Sequence, residues 1–186
     1  MGIASDTDRD DARRKARDMA REIIRSHSVS SPPVPLEEII RAHSIEILRH
    51  RFDGPESGFA LRDNDRWYIG VNTQTSRRRQ RFTIAHELGH LLLHQGRPII
   101  VDQAVLRVDL RNDISSMGTA LQEIEANTFA AALLMPEPIV ARYVTSLIEA
   151  DGNIARDDLI AESARTFDVS TEAMGYRLIN LGILTA

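Results

Sequence analysis

The sequence predicts an α+β protein in which a small antiparallel sheet packs on two long helices. Two observations indicate this class. Three short strand-like segments fall within residues 45–71, and the regions before and after them contain apolar side chains at the spacing of amphipathic helices. Apolar residues make up 42% of the 186 residues, which is enough for a hydrophobic core. The length fits one compact domain with an appendage, or two small domains.

The sequence of the N-terminal region predicts a charged helix followed by a stiff linker. Within residues 8–26, the apolar side chains form one stripe that can serve as core or docking surface. The stripe consists of Ala12, Ala16, Met19, Ile23 and Ile24. The serines and prolines of residues 30–35 predict the linker.

The predicted sheet follows a short helix at Leu36–His43. Its strands are expected at Ile45–Leu48, Gly58–Arg62 and Arg66–Val71. We expect them to form a small antiparallel sheet. An exposed edge strand of such a sheet can pair with an extended peptide.

A long helix predicted at Ser76–Gly96 contains the pentapeptide His86-Glu87-Leu88-Gly89-His90, the H-E-x-x-H signature of helical zinc sites. Residues four apart lie one turn on, about 40° round the axis, so both imidazoles can reach one ion. Glu87 then lies beside the ion, where it can take a proton from the attacking water. The alternative is that two histidines merely lie on a partly buried helix face.

Catalytic zinc sites use about three protein ligands, so a third is needed. His94 is about 12 Å of helix rise from His86, so both cannot bind one ion on a continuous helix. We therefore expect His94 to support the site or to be structural. The metzincin pattern also fails, because it needs glycine at Leu93 and histidine at Gly96.

A second helix, predicted between Thr119 and Pro136, offers a glutamate as the third ligand. Glu123 and Glu125 point about 200° apart, so only one can face the metal. We favour Glu123, because its face has small residues that allow close helix packing, and keep Glu125 as the alternative. These residues are Ala126, Asn127 and Ala130. Asn127 could orient one of the histidines by accepting its second ring N–H.

The C-terminal third predicts helices at residues 136–150, 157–167 and 171–181, of which the last two resemble a helix-turn-helix unit. A DNA-reading helix should be basic, yet the last helix offers only Arg177, and the net charge of the chain is −4. We therefore do not expect direct nucleic-acid binding. The predicted organisation is an N-terminal helix (1–29), a core (30–136) and a helical region (137–186).

Composition excludes several classes of site. The chain contains no cysteine, which rules out disulfides and thiolate zinc sites. No stretch approaches the roughly 18 to 20 apolar residues of a membrane span, and the N-terminus lacks an apolar signal core. We expect a cytoplasmic protein without a membrane partner.

The segments around the two motifs resemble the ImmA/IrrE metallopeptidases. The resemblance rests on Arg81–His94, Glu123–Ala130 and Leu133–Pro136, with further similarity at Ser57–Phe59, Ile69–Asn72, Val169–Met174 and Arg177–Gly182. It covers roughly residues 34–182. Members of that family are similar in having a zincin fold and a metal held by two histidines and a glutamate, and they typically cleave a helix-turn-helix repressor.

The resemblance implies a zincin-like core with His86, His90 and Glu123 as metal ligands and Glu87 as general base. Asn127 is a departure, because related glutamate zincins often have aspartate there. The expected ion is Zn²⁺, although Mn²⁺ or Fe²⁺ could replace it. The residue that stabilises the oxyanion stays open, and the candidates are Tyr143, Tyr176, Arg177 and His94.

The expected function is a zinc-dependent endopeptidase. Its expected protein substrate is a helix-turn-helix repressor, whose cleavage would release phage, mobile-element or stress-response genes. Two alternatives stay open. One is a non-catalytic module that senses a metal or binds a repressor. The other is a regulator that binds DNA through the C-terminal helices.

Overall fold

The computed structural model describes residues 5–53, 57–63, 66–94, 99–101 and 113–185. The helices are α1 (Asp6–Ser26), α2 (Leu36–Ala42), α3 (Arg77–Leu93), α4 (Asp113–Leu134), α5 (Glu137–Ala150), α6 (Arg156–Phe167) and α7 (Thr171–Asn180). The strands are β1 (Ile45–His50), β2 (Gly58–Asp63), β3 (Arg66–Asn72) and β4 (Ile99–Val101). The predicted α+β class is confirmed.

The sheet is mixed, which corrects the expectation of an antiparallel sheet. Its strand order is β1-β3-β2-β4, with β2 antiparallel to both β3 and β4 but β1 parallel to β3. Burial explains this order. In β3, Ile69 and Val71 are fully buried, whereas in β1 only Ile45 is buried. The more apolar β3 therefore takes a central position, and β1 lies outside it.

Two helix boundaries also differ from the predictions. The helix α3 starts after its N-cap Ser76, as expected, but it ends at Leu93 with His94 as C-cap; the predicted end, Gly96, lies outside the described residues. The helix α4 begins at Asp113, six residues before the predicted start at Thr119. The segment between these two predicted helices therefore contains β4 and the first turns of α4.

The close approach of α3 to α4 depends on small residues. A Cβ atom on Gly89 would lie 3.0 Å from Cδ1 of Phe129 and 3.2 Å from Cα of Ala126. Ala126 and Ala130 are fully buried, which confirms the predicted small face of α4. With so little side-chain bulk between the helices, a side chain of α4 can reach the histidines of α3.

One hydrophobic core joins the sheet to helices from both ends of the chain. The α1 stripe buries Ala12, Ala16, Ala20 and Ile23, and α1 packs on α4. The C-terminal helices contribute Phe167, Met174 and Leu178, all fully buried.

Within the described part of the chain, no single helix has the length and apolar character to cross a membrane. The segments Ala120–Leu134 and Glu137–Ala150 reach that length and composition only as a pair bent by 47°, a property that buried core helices share.

The basic first turn of α3 is tied to the α6–α7 turn. Three guanidinium groups reach the carboxylate of Asp168: Arg77 Nε at 3.2 Å, Arg81 Nε at 3.5 Å and Arg78 Nε at 3.8 Å. Cations at a helix N-terminus oppose the helix dipole, so these arginines weaken the helix itself. Their role in the fold is to attach α3 to the C-terminal helices.

Candidate metal centre

The structure brings three donor groups together between α3 and α4. Nε2 of His86 lies 3.0 Å from Nε2 of His90. The carboxylate of Glu123 reaches both rings, with Oε2 at 3.3 Å from His86 Nε2 and Oε1 at 3.2 Å from His90 Nε2. His86 and His90 are buried, whereas the Glu123 side chain is 37% exposed. The centre is therefore buried on the α3 side and accessible near Glu123.

These distances fit a divalent metal. Ligand atoms placed about 2.0–2.1 Å from a tetrahedral zinc lie about 3.3 Å from one another, close to the three separations observed. Two imidazoles and one carboxylate also form a donor set that zinc, manganese and iron accept. The residues that could hold an ion are thus His86, His90 and Glu123.

Asn127 sets the tautomer of the first histidine. Nδ1 of His86 lies 3.1 Å from Oδ1 of Asn127, which can only accept, so Nδ1 carries the proton. The lone pair of His86 is therefore on Nε2, which faces Glu123. Asn127 stands one turn beyond Glu123 on α4, where the sequence analysis expected an orienting acceptor.

A chain of hydrogen bonds sets the tautomer of the second histidine. His94 Nε2 donates to Glu125 Oε2 at 2.6 Å, and His90 Nδ1 lies 3.0 Å from His94 Nδ1. Since the His94 proton is on Nε2, its Nδ1 accepts and His90 Nδ1 donates. The lone pair of His90 then lies on Nε2, as in His86. Lys15 of α1 completes the chain, because its Nζ donates to Glu125 Oε1 at 2.9 Å.

Three acceptors therefore converge on one point: two imidazole lone pairs and the carboxylate of Glu123. Burial raises the pKa of Glu123, but a proton on Nε2 of His86 or His90, through its hydrogen bond to the carboxylate and its charge, places that pKa far below its ordinary value; in the tautomers described above, a bound cation takes the place of that proton. Burial lowers the pKa of His94, although its hydrogen bond to Glu125 acts in the opposite direction. The lowered pKa is consistent with a neutral His94 ring in the series of hydrogen bonds. Such a set of acceptors is stabilised by a bound cation.

Glu87 is fully buried between the two histidines of α3. A side chain one residue after His86 points about 100° away from it round the helix, so Glu87 lies beside the donor set.

Of the four residues considered for stabilising the oxyanion, two line the cleft and two do not. Tyr176 is 64% exposed and lines the same cleft as His86, and Arg177 lines it from a buried position. Arg177 Nε donates to the Met135 carbonyl at 3.0 Å. His94 is hydrogen-bonded to Glu125. The hydroxyl of Tyr143 is hydrogen-bonded to Thr166 Oγ1 at 2.7 Å, and Tyr143 does not line the cleft. The geometry thus keeps Tyr176 and Arg177 as candidates.

The sequence analysis missed two residues of this centre. Glu125 was considered only as a competing ligand, whereas it holds His94, and Lys15 was not singled out. The spacing of His90 and His94, four residues apart on one helix, was the available signal for a ring pair. No local pattern signals Lys15, because its contact depends on how α1 packs against α4.

A peptidase family model described as the IrrE N-terminal-like domain matches residues 40–179, three quarters of the chain. The chain belongs to this family. The expected ImmA/IrrE resemblance is therefore confirmed. The predicted zincin-like core agrees with the His86, His90 and Glu123 cluster, which marks a possible metal site.

Individual relatives agree with the assignment to the IrrE-like family. An uncharacterised immunity region protein 2 of Bacillus phage phi105 is 27% identical over 150 residues, covering 80% of this chain and 85% of the relative. The radiation response metalloprotease IrrE of Deinococcus radiodurans is 35% identical over 115 residues, covering 59% of this chain and 30% of the relative. The IrrE of Deinococcus deserti is 35% identical over 119 residues, covering 62% and 37%.

One solved structure has a similar fold. A Mycobacterium tuberculosis transcriptional regulator superposes with a TM-score of 0.60 at 18% identity, over 89% of this IrrE-like chain and 46% of that one. This likeness concerns the fold alone. The chain spans about a third of the two IrrE proteins and about half of the regulator.

Proposed function

We propose that this IrrE-like protein is a zinc-dependent endopeptidase whose substrate is a helix-turn-helix transcriptional repressor. The observation that carries the proposal is the convergence of three ligand atoms 3.0 to 3.3 Å apart, two of them on a helix that also carries the buried Glu87 next to His86 in sequence. A cytoplasmic location and regulation of transcription belong to the same proposal. Among relatives, the phage immunity region protein favours a regulatory role.

In the proposed reaction, His86, His90 and Glu123 would hold the ion, which when bound activates water and polarises the peptide carbonyl. Glu87 accepts a proton from the attacking water and delivers it to the leaving amine. Asn127 and His94 keep the histidine lone pairs directed at the ion. Tyr176 or Arg177, on the cleft, would donate to the oxyanion.

The test is cleavage of a purified helix-turn-helix repressor encoded beside this gene. Glu87→Gln preserves the size of the side chain but cannot accept the proton, so we expect metal content to be unchanged and the cleavage rate to fall about 10²–10⁴-fold. Glu149→Gln is the matched control, because Glu149 is exposed on α5. Cleavage by Glu87→Gln at the wild-type rate would contradict the mechanism. A stable complex without fragments in the wild type would favour a binding module instead.

A DNA-binding function has less support from the residues. Arg177, the basic residue expected on the reading helix, is 8% exposed and donates into the protein. Retardation of duplex DNA that depends on sequence and weakens with salt would nevertheless establish that alternative.

A further inference from the structure

The cleft at the candidate metal centre has a basic wall formed by α1. It has a volume of about 1380 Å³ and includes His86 and Glu123. Arg13, Arg17 and Arg21 line it from α1. Their spacing of four residues places them on one side of the helix, so the wall is a row of guanidinium groups next to the donor set.

Intramolecular carboxylates compensate the ends of this row but not its middle. Arg13 pairs with Asp10 at 3.1 Å, and Arg21 reaches Glu137 at 3.3 Å. Arg17, between them, is half-buried. Among the residues that the structure describes, no carboxylate lies within ion-pair distance of Arg17. Positive charge is therefore left uncompensated at the centre of the wall.

Arg177 adds a second cation at this point. Burial lowers its pKa to about 10; Glu137 opposes that change, while Arg17 and Arg21 add to it. Arg21 has two carboxylate partners, Asp18 at 3.1 Å and Glu137 at 3.3 Å, and Glu137 also favours the charged form of Arg177, whereas Arg17 has no such partner among the described residues. Like charges in a partly desolvated cleft repel each other, and an anion entering between them relieves that repulsion.

Another part of the cleft lining is formed by α7 and includes side chains of different chemistry. Glu172, Tyr176 and Asn180, again four residues apart, line the cleft there. Tyr176 is one of the few large hydrophobic side chains that are exposed. Because Glu172 would repel an acidic group on its own side, an anionic side chain is best placed toward α1.

We propose that this cleft selects a polypeptide segment with an acidic side chain near the scissile bond, and that Arg17 is the specificity-determining residue. The inference rests on the proposed peptidase function, since the same cleft is lined by two of its proposed metal ligands, His86 and Glu123. A polypeptide fits better than nucleic acid, because the arginines line a concave cleft of a chain with a net charge of −4. A carboxylate can form charge-assisted hydrogen bonds with the Arg17 guanidinium.

The experiment uses the zinc-loaded protein and internally quenched decapeptide pools. Each pool has Asp, Glu, Asn, Gln or Lys fixed at one position and is otherwise random. At one or more positions we expect kcat/KM for the acidic pools to exceed that of the amide pools about tenfold. Arg17→Gln should abolish this preference, and Arg17→Glu should favour the lysine pool. Arg14→Glu is the matched control, because Arg14 is exposed on α1, pairs with Asp11 and does not line the cleft.

The outcomes separate this inference from the proposed function. Cleavage without acidic preference, or a preference unchanged in Arg17→Gln, overturns the inference and leaves the peptidase proposal intact. If no pool is cleaved, fluorescein-labelled pools are titrated against metal-loaded Glu87→Gln protein. Binding of the acidic pools that depends on Arg17 then supports the inference while the peptidase proposal fails. Equal binding of acidic and amide pools, or no binding of either, overturns the inference. If a DNA oligonucleotide displaces the labelled acidic pool at a lower concentration than the unlabelled acidic pool does, the cleft is a nucleic-acid site and the inference is overturned.

Discussion

Replacing His94 by alanine tests the hydrogen-bond chain behind the metal centre. The variant removes the acceptor that holds His90 Nδ1–H, so the His90 ring is free to rotate and to change its tautomer. Loss of such a supporting contact lowers metal affinity about 10–100-fold, which corresponds to about 1.4–2.7 kcal/mol. The buried Glu125 carboxylate loses its 2.6 Å partner but keeps Lys15, so folding stability should fall by about 1–3 kcal/mol.

The assay is competition for zinc against a chromophoric chelator at neutral pH, with unfolding by urea measured separately on the metal-free proteins. His43→Ala is the matched control. His43 is likewise a helix C-cap, but its Nδ1 lies 2.9 Å from the Ile39 carbonyl of its own helix. Its loss should leave zinc affinity unchanged.

Glu125→Gln gives an intermediate case in the same assay. The amide oxygen can still accept from His94 Nε2, but the charge that fixes the His94 tautomer is gone. We therefore expect a loss of zinc affinity smaller than that of His94→Ala. Wild-type affinity in His94→Ala, with the protein folded, would refute the argument that His94 orients His90.

Two further predictions concern the packing that positions the site. Asp168→Asn removes the charge shared by three arginines but keeps a residue that tolerates the left-handed backbone (φ 53°), so urea denaturation should show a loss of about 1 kcal/mol. Asp157→Asn, on the exposed first turn of α6, should change the stability much less. An equal loss in the Asp168 and Asp157 variants would contradict the attachment of α3 to the C-terminal helices through Asp168. Gly89→Val places methyl groups against Phe129 and Ala126, and thermal unfolding together with zinc titration should show a loss of about 1–3 kcal/mol and weaker metal binding. Unchanged zinc affinity in folded Gly89→Val would mean that the helix spacing is not critical.

The donor set could be predicted from sequence because each step depends on helix geometry alone. The spacing of His86 and His90 places both rings on one side of α3. The choice of Glu123 over Glu125 followed from the small residues beside it, and the structure places Glu123 at His86 and His90, whereas Glu125 contacts His94. The roles of these residues as ligands and of Glu87 as base remain predictions that the metal and cleavage assays address.

The remaining features depend on contacts between distant segments. The parallel pairing of β1 with β3 reflects which strand is most buried, and periodicity within one strand does not report that. The basic turn of α3 could be interpreted as a solvated patch or a partner surface, because its counter-charge, Asp168, is 87 residues downstream of Arg81. Local propensity contains no information on such pairs.

The N-terminal helix α1 is separate from the core in sequence but contributes side chains to the candidate site. A proline-rich segment separates α1 from the rest of the chain, and the boundary predicted at residue 29 follows that composition. Yet α1 packs its alanine stripe on α4, and two sides of one turn of α1 serve the site in different ways. Lys15 binds the carboxylate that holds His94, and Arg17 lines the cleft. A displacement of α1 would therefore alter both the support of the metal ligands and the charge that substrate meets, so a partner that bound this helix could regulate affinity and turnover together.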